Sequence, residues 1–381
     1  MRYYTGVFCI LEYIDMANGY GRAVAGSGTG AMRLGFGAAT FALVVGSAVY
    51  GEVVHGYGLL RKGDPDFTPF GRARIGFSAL AALLLYFALR PVIQILPVRI
   101  EDRNRVMVGI VLAAAFLLAV AAAVLFVPTA LNDYVREMQP LGMATEVLLI
   151  AAIGSLLMAA WGARGKREGR LLAIFPPALV LTGMAGVVFL ILMEEMSWGQ
   201  HWIGWATPEL FSRNVQNETN LHNFYTYQFE AIYYTSAIFC FIVMPWCWLR
   251  GAGAFSAQVE PYLPSRFFAL MALPVASLMY EAWNIVPYQV WYFLGLMIGV
   301  DIARRIQPAR LRAAAFGLVI VYALTMLVFL FGGEAMVDGY ELSEVREFYI
   351  AFLFLAFGGM LMERFSGKTP VFRQTKAHQE D

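Results

Sequence analysis

From about residue 33 onward, long apolar runs alternate with short segments that carry most of the charge. An α-helix rises 1.5 Å per residue, so an apolar run of about 18 to 25 residues crosses the roughly 30 Å hydrocarbon core of a bilayer. Ten such runs are legible, at residues 33–58, 75–97, 106–128, 142–163, 171–194, 228–249, 267–284, 286–303, 313–333 and 347–363. They are continuous and rich in Leu, Ala, Val and Phe, whereas barrel strands would alternate apolar and polar positions over about ten residues. The pattern predicts an all-α fold, a polytopic transmembrane helix bundle of about ten spans with an extracytoplasmic interfacial helix or loop. The seventh and eighth runs nearly fuse around Asn284, so the seventh is either a short span or a re-entrant element. Pro176, Pro177 and Pro274 fall inside runs, where kinks are expected.

Composition agrees with this division. Of 381 residues, 59% are hydrophobic and 14% charged, with a mean hydropathy of +0.61, whereas charged residues make up about a quarter of a soluble domain. The formal net charge of +1 supplies no basic surface for nucleic acid. Cys9, Cys240 and Cys247 match no zinc spacing and no disulfide framework. Residues 1–31 lack the basic start, apolar core and cleavage site of a secretory signal. They end in a glycine-rich stretch, and the reading is a weakly packed segment or one that precedes a native start at Met32. Residues 32–365 then form the bundle, with a polar outer loop at 194–227, and 366–381 form a cytoplasmic tail.

Lys and Arg in short loops set orientation. With the N-terminus cytoplasmic, inside loops carry Arg99, Arg103 and Arg105, then Arg164, Lys166, Arg167 and Arg170, then Arg250 and Arg266, then Arg304, Arg305, Arg310 and Arg312, with further basic residues in the tail. Arg61, Lys62, Arg72 and Arg74 dissent, because this orientation puts them outside. The prediction is an integral protein of a bacterial inner membrane with both termini cytoplasmic.

That orientation places one unusual segment outside: Met193 to Glu230, a polar and aromatic stretch between two apolar runs. If the fifth helix continued beyond Glu195, then Glu194, Trp198, His201, Trp202 and Trp205 would share an arc of about 100°. Glu194 would then meet His201, while Glu195 would turn toward a neighbouring helix. Farther along, Glu218 and His222 are four apart and would meet on one helical turn. The three tryptophans suit an aromatic belt at headgroup depth, or a stacking platform for a sugar or lipid headgroup. Glu52, His55, Glu230 and Glu281 are predicted at the same membrane face. His55, His201 and His222, each with a carboxylate nearby, could hold a divalent ion such as Zn, Fe or Mn. Asp301 is expected to pair with Arg304 or Arg305.

The string EExSWGQ from Glu194, followed about twenty residues later by ETNLHN ending at Asn223, resembles a motif pair in a group of uncharacterised bacterial polytopic membrane proteins. It covers about thirty residues, implies no activity, and draws attention to Glu194, Glu195, Gln200, Glu218, Asn220 and His222.

Together these residues suggest an outward-facing polar site of Glu, His and Trp. One expectation is an enzyme acting on a lipid or lipid-linked substrate, with Glu194, Glu218 and His222 as acid and base groups. Trp198, Gln200, Trp202, Trp205, Asn220 and Glu281 would bind the substrate. The alternative is a transporter, or a structural subunit whose outer loop docks a membrane protein partner. Transport calls for polar groups at mid-membrane, and the runs look almost purely apolar there.

Overall fold

The computed structural model describes residues 28–366, apart from 59, 61, 91–95, 99, 136–138, 167–170, 172–173, 215–216, 248–257 and 337–341. The readings for residues 1–27 and for the tail beyond 366 lie outside the described residues. Nine helices among those described are long and apolar enough to cross a membrane. They are α1 (Gly28–His55), α2 (Pro69–Leu89), α3 (Arg103–Phe126), α5 (Pro140–Gly162), α6 (Pro177–Glu195), α8 (Thr226–Cys247), α10 (Val286–Arg305), α11 (Ala309–Gly332) and α12 (Leu342–Phe365). Short helices α4 (Pro128–Val135), α7 (Gln200–Ile203) and α9 (Phe268–Ala272) lie between them, and Leu96–Pro97 pairs in parallel with Ile306–Gln307. The fold is therefore the predicted all-α polytopic bundle.

Local chemistry explains the helix ends. Pro69, Pro140 and Pro177 open their helices, where a missing N–H costs nothing. The Thr68 hydroxyl caps α2 by accepting from the Gly71 N–H at 3.2 Å. Pro245 can neither donate to the carbonyl four residues back nor fit against it, and α8 widens into a π turn at Phe239–Val243 just before it. The seam between α12 and α5 is the most extensive in the bundle. A side chain at Gly358 would press on this seam, its Cβ 3.2 Å from the Ala152 carbonyl oxygen.

The run at 267–284 is neither a straight span nor a re-entrant loop. Pro274 removes a helical N–H, α9 gives way to a 3₁₀ turn at Leu273–Ala276, and turns follow to Ile285. Three contacts along α12 track the segment. Arg364, near one end of α12, donates to the Pro261 and Leu263 carbonyls at 2.6 and 3.0 Å. The Tyr349 hydroxyl donates to Met271 O at 2.6 Å, and Arg346, near the other end, reaches Glu281 at 3.4 Å. The segment thus traverses the bundle as a broken tenth crossing. Its irregular backbone is tolerated because Ala272, Leu273, Ala276, Ser277, Leu278 and Met279 are fully buried in protein.

Polar seams also exceed the almost purely apolar expectation. Ser78, halfway along α2, donates to Gln289 at 2.8 Å, both buried. At the end opposite the Met193–Glu230 segment, Asp301 accepts from Arg304 and Arg305, as expected for an i,i+3 and i,i+4 pair. It also accepts from Tyr86 at 2.9 Å and Trp246 at 3.0 Å. Among the dissenting cations, Lys62 and Arg74 are not free loop charges. Lys62 bonds Glu230, and Arg74 is buried and donates to Asn284.

Candidate functional site

The polar segment folds as a clasp, because its backbone cannot continue α6. Ser197, Trp198 and Gly199 take φ of 47°, 57° and 96°, in the left-handed region that a helix interior never uses. The chain then turns through the four-residue α7 and leaves it at Gly204, φ 74°. The single arc of Glu194, Trp198, His201, Trp202 and Trp205 therefore does not form.

This break changes the partners of both histidines. Glu218, predicted to meet His222, instead lies 2.9 Å from His201 Nε2 through its Oε1. Its other oxygen accepts from the Ser197 hydroxyl at 2.7 Å, Asn220 Nδ2 at 2.9 Å and Asn223 Nδ2 at 3.4 Å. Glu194, predicted to meet His201, instead sits 3.4 Å from His222 Nδ1 through Oε2. The same Oε2 accepts from the Leu221 and His222 backbone N–H groups at 2.8 and 3.0 Å, and Oε1 accepts from Trp198 Nε1 at 2.8 Å. The two halves of the motif pair are thus cross-tied by two carboxylates, one from each half.

Around these ties, Asn214, Asn220, Asn223 and Ser197 are buried. The Gln200 amide fixes the loop by accepting from Thr219 N at 2.6 Å and donating to Thr207 at 2.9 Å. Trp202 donates to Glu146 of α5 at 2.9 Å, and Trp205 donates to Thr219 at 3.4 Å. All three tryptophans remain partly exposed. Gln200, Trp198, Trp202 and Trp205 hold or cover the clasp and do not line the cavity below it.

That cavity measures about 360 Å³. α5 contributes Gly142 and Glu146, and α6 contributes Val187, Leu190, Ile191, Glu194 and Glu195. α8 adds Thr226, Phe229, Glu230 and Tyr233, and α12 adds Ser343, Glu344 and Glu347. The clasp supplies His201, Glu218, Asn220, His222 and Asn223. All three residues expected to act as acid or base, Glu194, Glu218 and His222, are thereby brought together, and Asn220 joins them. Glu146, Ser197, Ser343 and Tyr233 were not anticipated. Glu146 lies deep enough in a uniformly apolar run to look like a lone polar interruption.

Behind the cavity lies a second network. Lys62 bonds Glu230 at 2.6 Å and stands 3.8 Å from Glu281. Arg346, fully buried, lies 3.9 Å from the Tyr234 ring centre and reaches Glu281, while Tyr234 donates to Glu347. Burial opposes the Lys62 ammonium, but Glu281 and Glu230 outweigh it and raise its pKa. Glu281, buried between Lys62 and Arg346, is thus an ion-pair partner and not the cavity ligand expected of it.

The metal expectation also requires correction. His55 stacks on Phe70 with ring centres 3.8 Å apart, beside Tyr50 and Tyr57, and does not line the cavity. His201 and His222 face separate carboxylates. Among the described residues no three of His, Cys, Asp and Glu converge as a ligand set. No family model, curated protein or solved structure matches this chain, and the geometry stands by itself.

Proposed function

We propose that this protein is a membrane enzyme acting on a lipid or lipid-linked substrate from the outer face of a bacterial inner membrane, with His222 as the proton-transferring group. The observation that supports this reading is the Glu194–His222 dyad on the cavity wall. A carboxylate at Nδ1 fixes the orientation of an imidazole, leaving Nε2 to exchange a proton with a substrate. Glu194 is saturated by donors and serves as the orienting group. Glu218 is equally saturated and holds the clasp, so its role is positioning. The basic residues of the opposite-end loops support the outward orientation of the cavity.

Transport is the second reading, favoured by the broken crossing at 268–285 and by the Ser78–Gln289 pair, since discontinuous helices and mid-membrane polar groups are features of transporters. The cavity, however, lies at one end of the bundle, among the clasp and the adjoining helix ends.

In a deletion strain, His222→Asn and His222→Gln produced at wild-type level are expected to leave the deletion's lipid profile uncorrected, with at least a hundredfold loss of turnover, the usual scale for a general acid or base. Lipid mass spectrometry reads this directly. Full correction by either variant would refute the dyad's role. Glu194→Gln is expected to fall between wild type and the His222 variants, because the amide oxygen can still accept from Nδ1–H without its charge.

A further inference from the structure

The charges of the network behind the cavity do not balance. Glu230, Glu281 and Glu347 are three carboxylates, whereas Lys62 and Arg346 are two cations. Lys62 holds both oxygens of Glu230, at 2.8 and 2.6 Å. Glu281 lies between Arg346 at 3.4 Å and Lys62 at 3.8 Å. Glu347 is left over: its Oε1 accepts from the neutral Tyr234 hydroxyl, and no cation pairs with it among the described residues. The other titratable groups around it supply no spare cation. Glu195 of α6 and Glu344 of α12 are further carboxylates on the wall, Glu146 of α5 is tied to Trp202, and His201 and His222 face Glu218 and Glu194. Tyr233 and Tyr288 add only hydroxyls.

A carboxylate enclosed without a counterion is costly enough that the group keeps its proton instead. Glu281 is the rival seat for that proton, since its Oε2 meets no donor among the described residues. Two cations face it, however, so ionisation returns far more to Glu281 than to Glu347. Position separates the two as well. Glu281 is buried behind the cavity, whereas Glu347 lines it, and the Glu347 Oε2 takes no hydrogen bond among the described residues and is not enclosed. With Oε1 turned to Tyr234, Oε2 is the oxygen that presents a proton to the cavity.

We propose that Glu347 carries the surplus proton of this network and is the proton donor of the cavity, on the α12 wall, complementing His222 on the clasp. Its use in turnover rests on the lipid-enzyme reading; its protonation does not. A donor and an acceptor in one chamber suit a transfer or hydrolysis reaction. As the attacking oxygen bonds to the reacting centre, its proton passes to His222 Nε2. As the bond from that centre to the departing oxygen breaks, the proton of Glu347 Oε2 passes to that oxygen. Nothing is oxidised or reduced, and the net charge of the site is unchanged.

The test treats the purified full-length protein in detergent at neutral pH with dicyclohexylcarbodiimide, an apolar reagent that attacks carboxylic acids and spares carboxylates. The carboxyl proton moves to a carbodiimide nitrogen, the carboxyl oxygen adds to the central carbon, and acyl migration to nitrogen leaves a stable N-acylurea that peptide mass spectrometry locates. Glu347 is expected to take up at least about tenfold more label than Glu194, Glu218 or Glu230, the ratio that one pH unit of separation produces. Absence of that preference would overturn the proton assignment. Glu281→Gln removes one negative charge, balances the network and frees Arg346 for Glu347, so the label on Glu347 should fall about tenfold. An unchanged label would overturn the charge count. Glu347→Gln keeps a neutral side chain and an acceptor for Tyr234, and is expected to unfold at the wild-type temperature while losing about a hundredfold in turnover and failing to correct the lipid profile. Full correction by this variant would overturn the donor role. A missing label beside a failed His222→Asn would remove Glu347 and spare the dyad, whereas a labelled Glu347 beside a His222→Asn that corrects the profile would remove the dyad and leave the proton where it is placed here.

Discussion

Replacing Arg346 by methionine is expected to destabilise the bundle by about 3 to 5 kcal/mol, the cost of breaking a buried pair from one side. Arg346 is fully buried on α12, reaches Glu281 at 3.4 Å and stacks over Tyr234. Methionine fills much of the same volume but leaves the buried Glu281 carboxylate with Lys62, 3.8 Å away, as its only remaining cation among these residues. Because Lys62 is already engaged by Glu230, it compensates incompletely. The double variant Arg346→Met with Glu281→Leu removes both charges together and is expected to recover more than half of the loss, since a buried pair replaced by apolar groups of similar size is often neutral. Thermal unfolding in detergent micelles measures both. A single variant as stable as wild type would mean that Glu281 takes up a proton in place of its partner, the usual escape of a buried charge that has lost its counterion.

The same network shows why the sequence yields some of this protein and conceals the rest. Apolar run length reports directly on membrane crossing, because lipid offers backbone groups no partner and only a helix satisfies them within one segment. Nine runs became helices for that reason. The tenth, at 267–284, is enclosed by protein and so is free of that constraint, and Pro274 was the visible sign of it. Pairing across the bundle is a different matter. Lys62 is remote in sequence from Glu230 and Glu281, and Arg346 stands directly before the apolar run at 347–363 with no local sign of its partners. Types and places of residues could be read; partners could not.

The clasp repeats the lesson at close range, and the largest local effect is expected there, from Glu218→Ala. Both histidines and both carboxylates do line one cavity, but helical spacing paired them wrongly, because three left-handed residues in a row redirect the chain after Met196. Gly199 hinted at the break, while Ser197 and Trp198 gave no warning: neither residue type favours positive φ. Such backbone conformations cost roughly 1 to 3 kcal/mol each and persist only where surroundings hold them. Glu218 is the holder, since its two oxygens engage His201, Ser197, Asn220 and Asn223. Alanine would leave the fully buried Ser197 hydroxyl with Asn220 as its remaining partner, and would strip His201 of its carboxylate. Hydrogen bonds to a charged group contribute about 1.5 to 3 kcal/mol each. Losing even two of them should raise amide exchange at residues 197–204 and 217–224 by a hundredfold or more, while exchange farther along the α5–α12 seam, where Gly358 packs against Ala152 and Ser155, stays unchanged. Glu218→Gln supplies the contrast. Its carbonyl oxygen can still accept from Ser197 and Asn220, and its amide can donate to His201 Nε2 if that nitrogen is unprotonated, so protection should stay within about tenfold of wild type. If Glu218→Ala exchanged no faster than Glu218→Gln, the strain at Ser197 and Trp198 would have to be held by Glu194 and its four donors, and the clasp would have a single anchor in place of two.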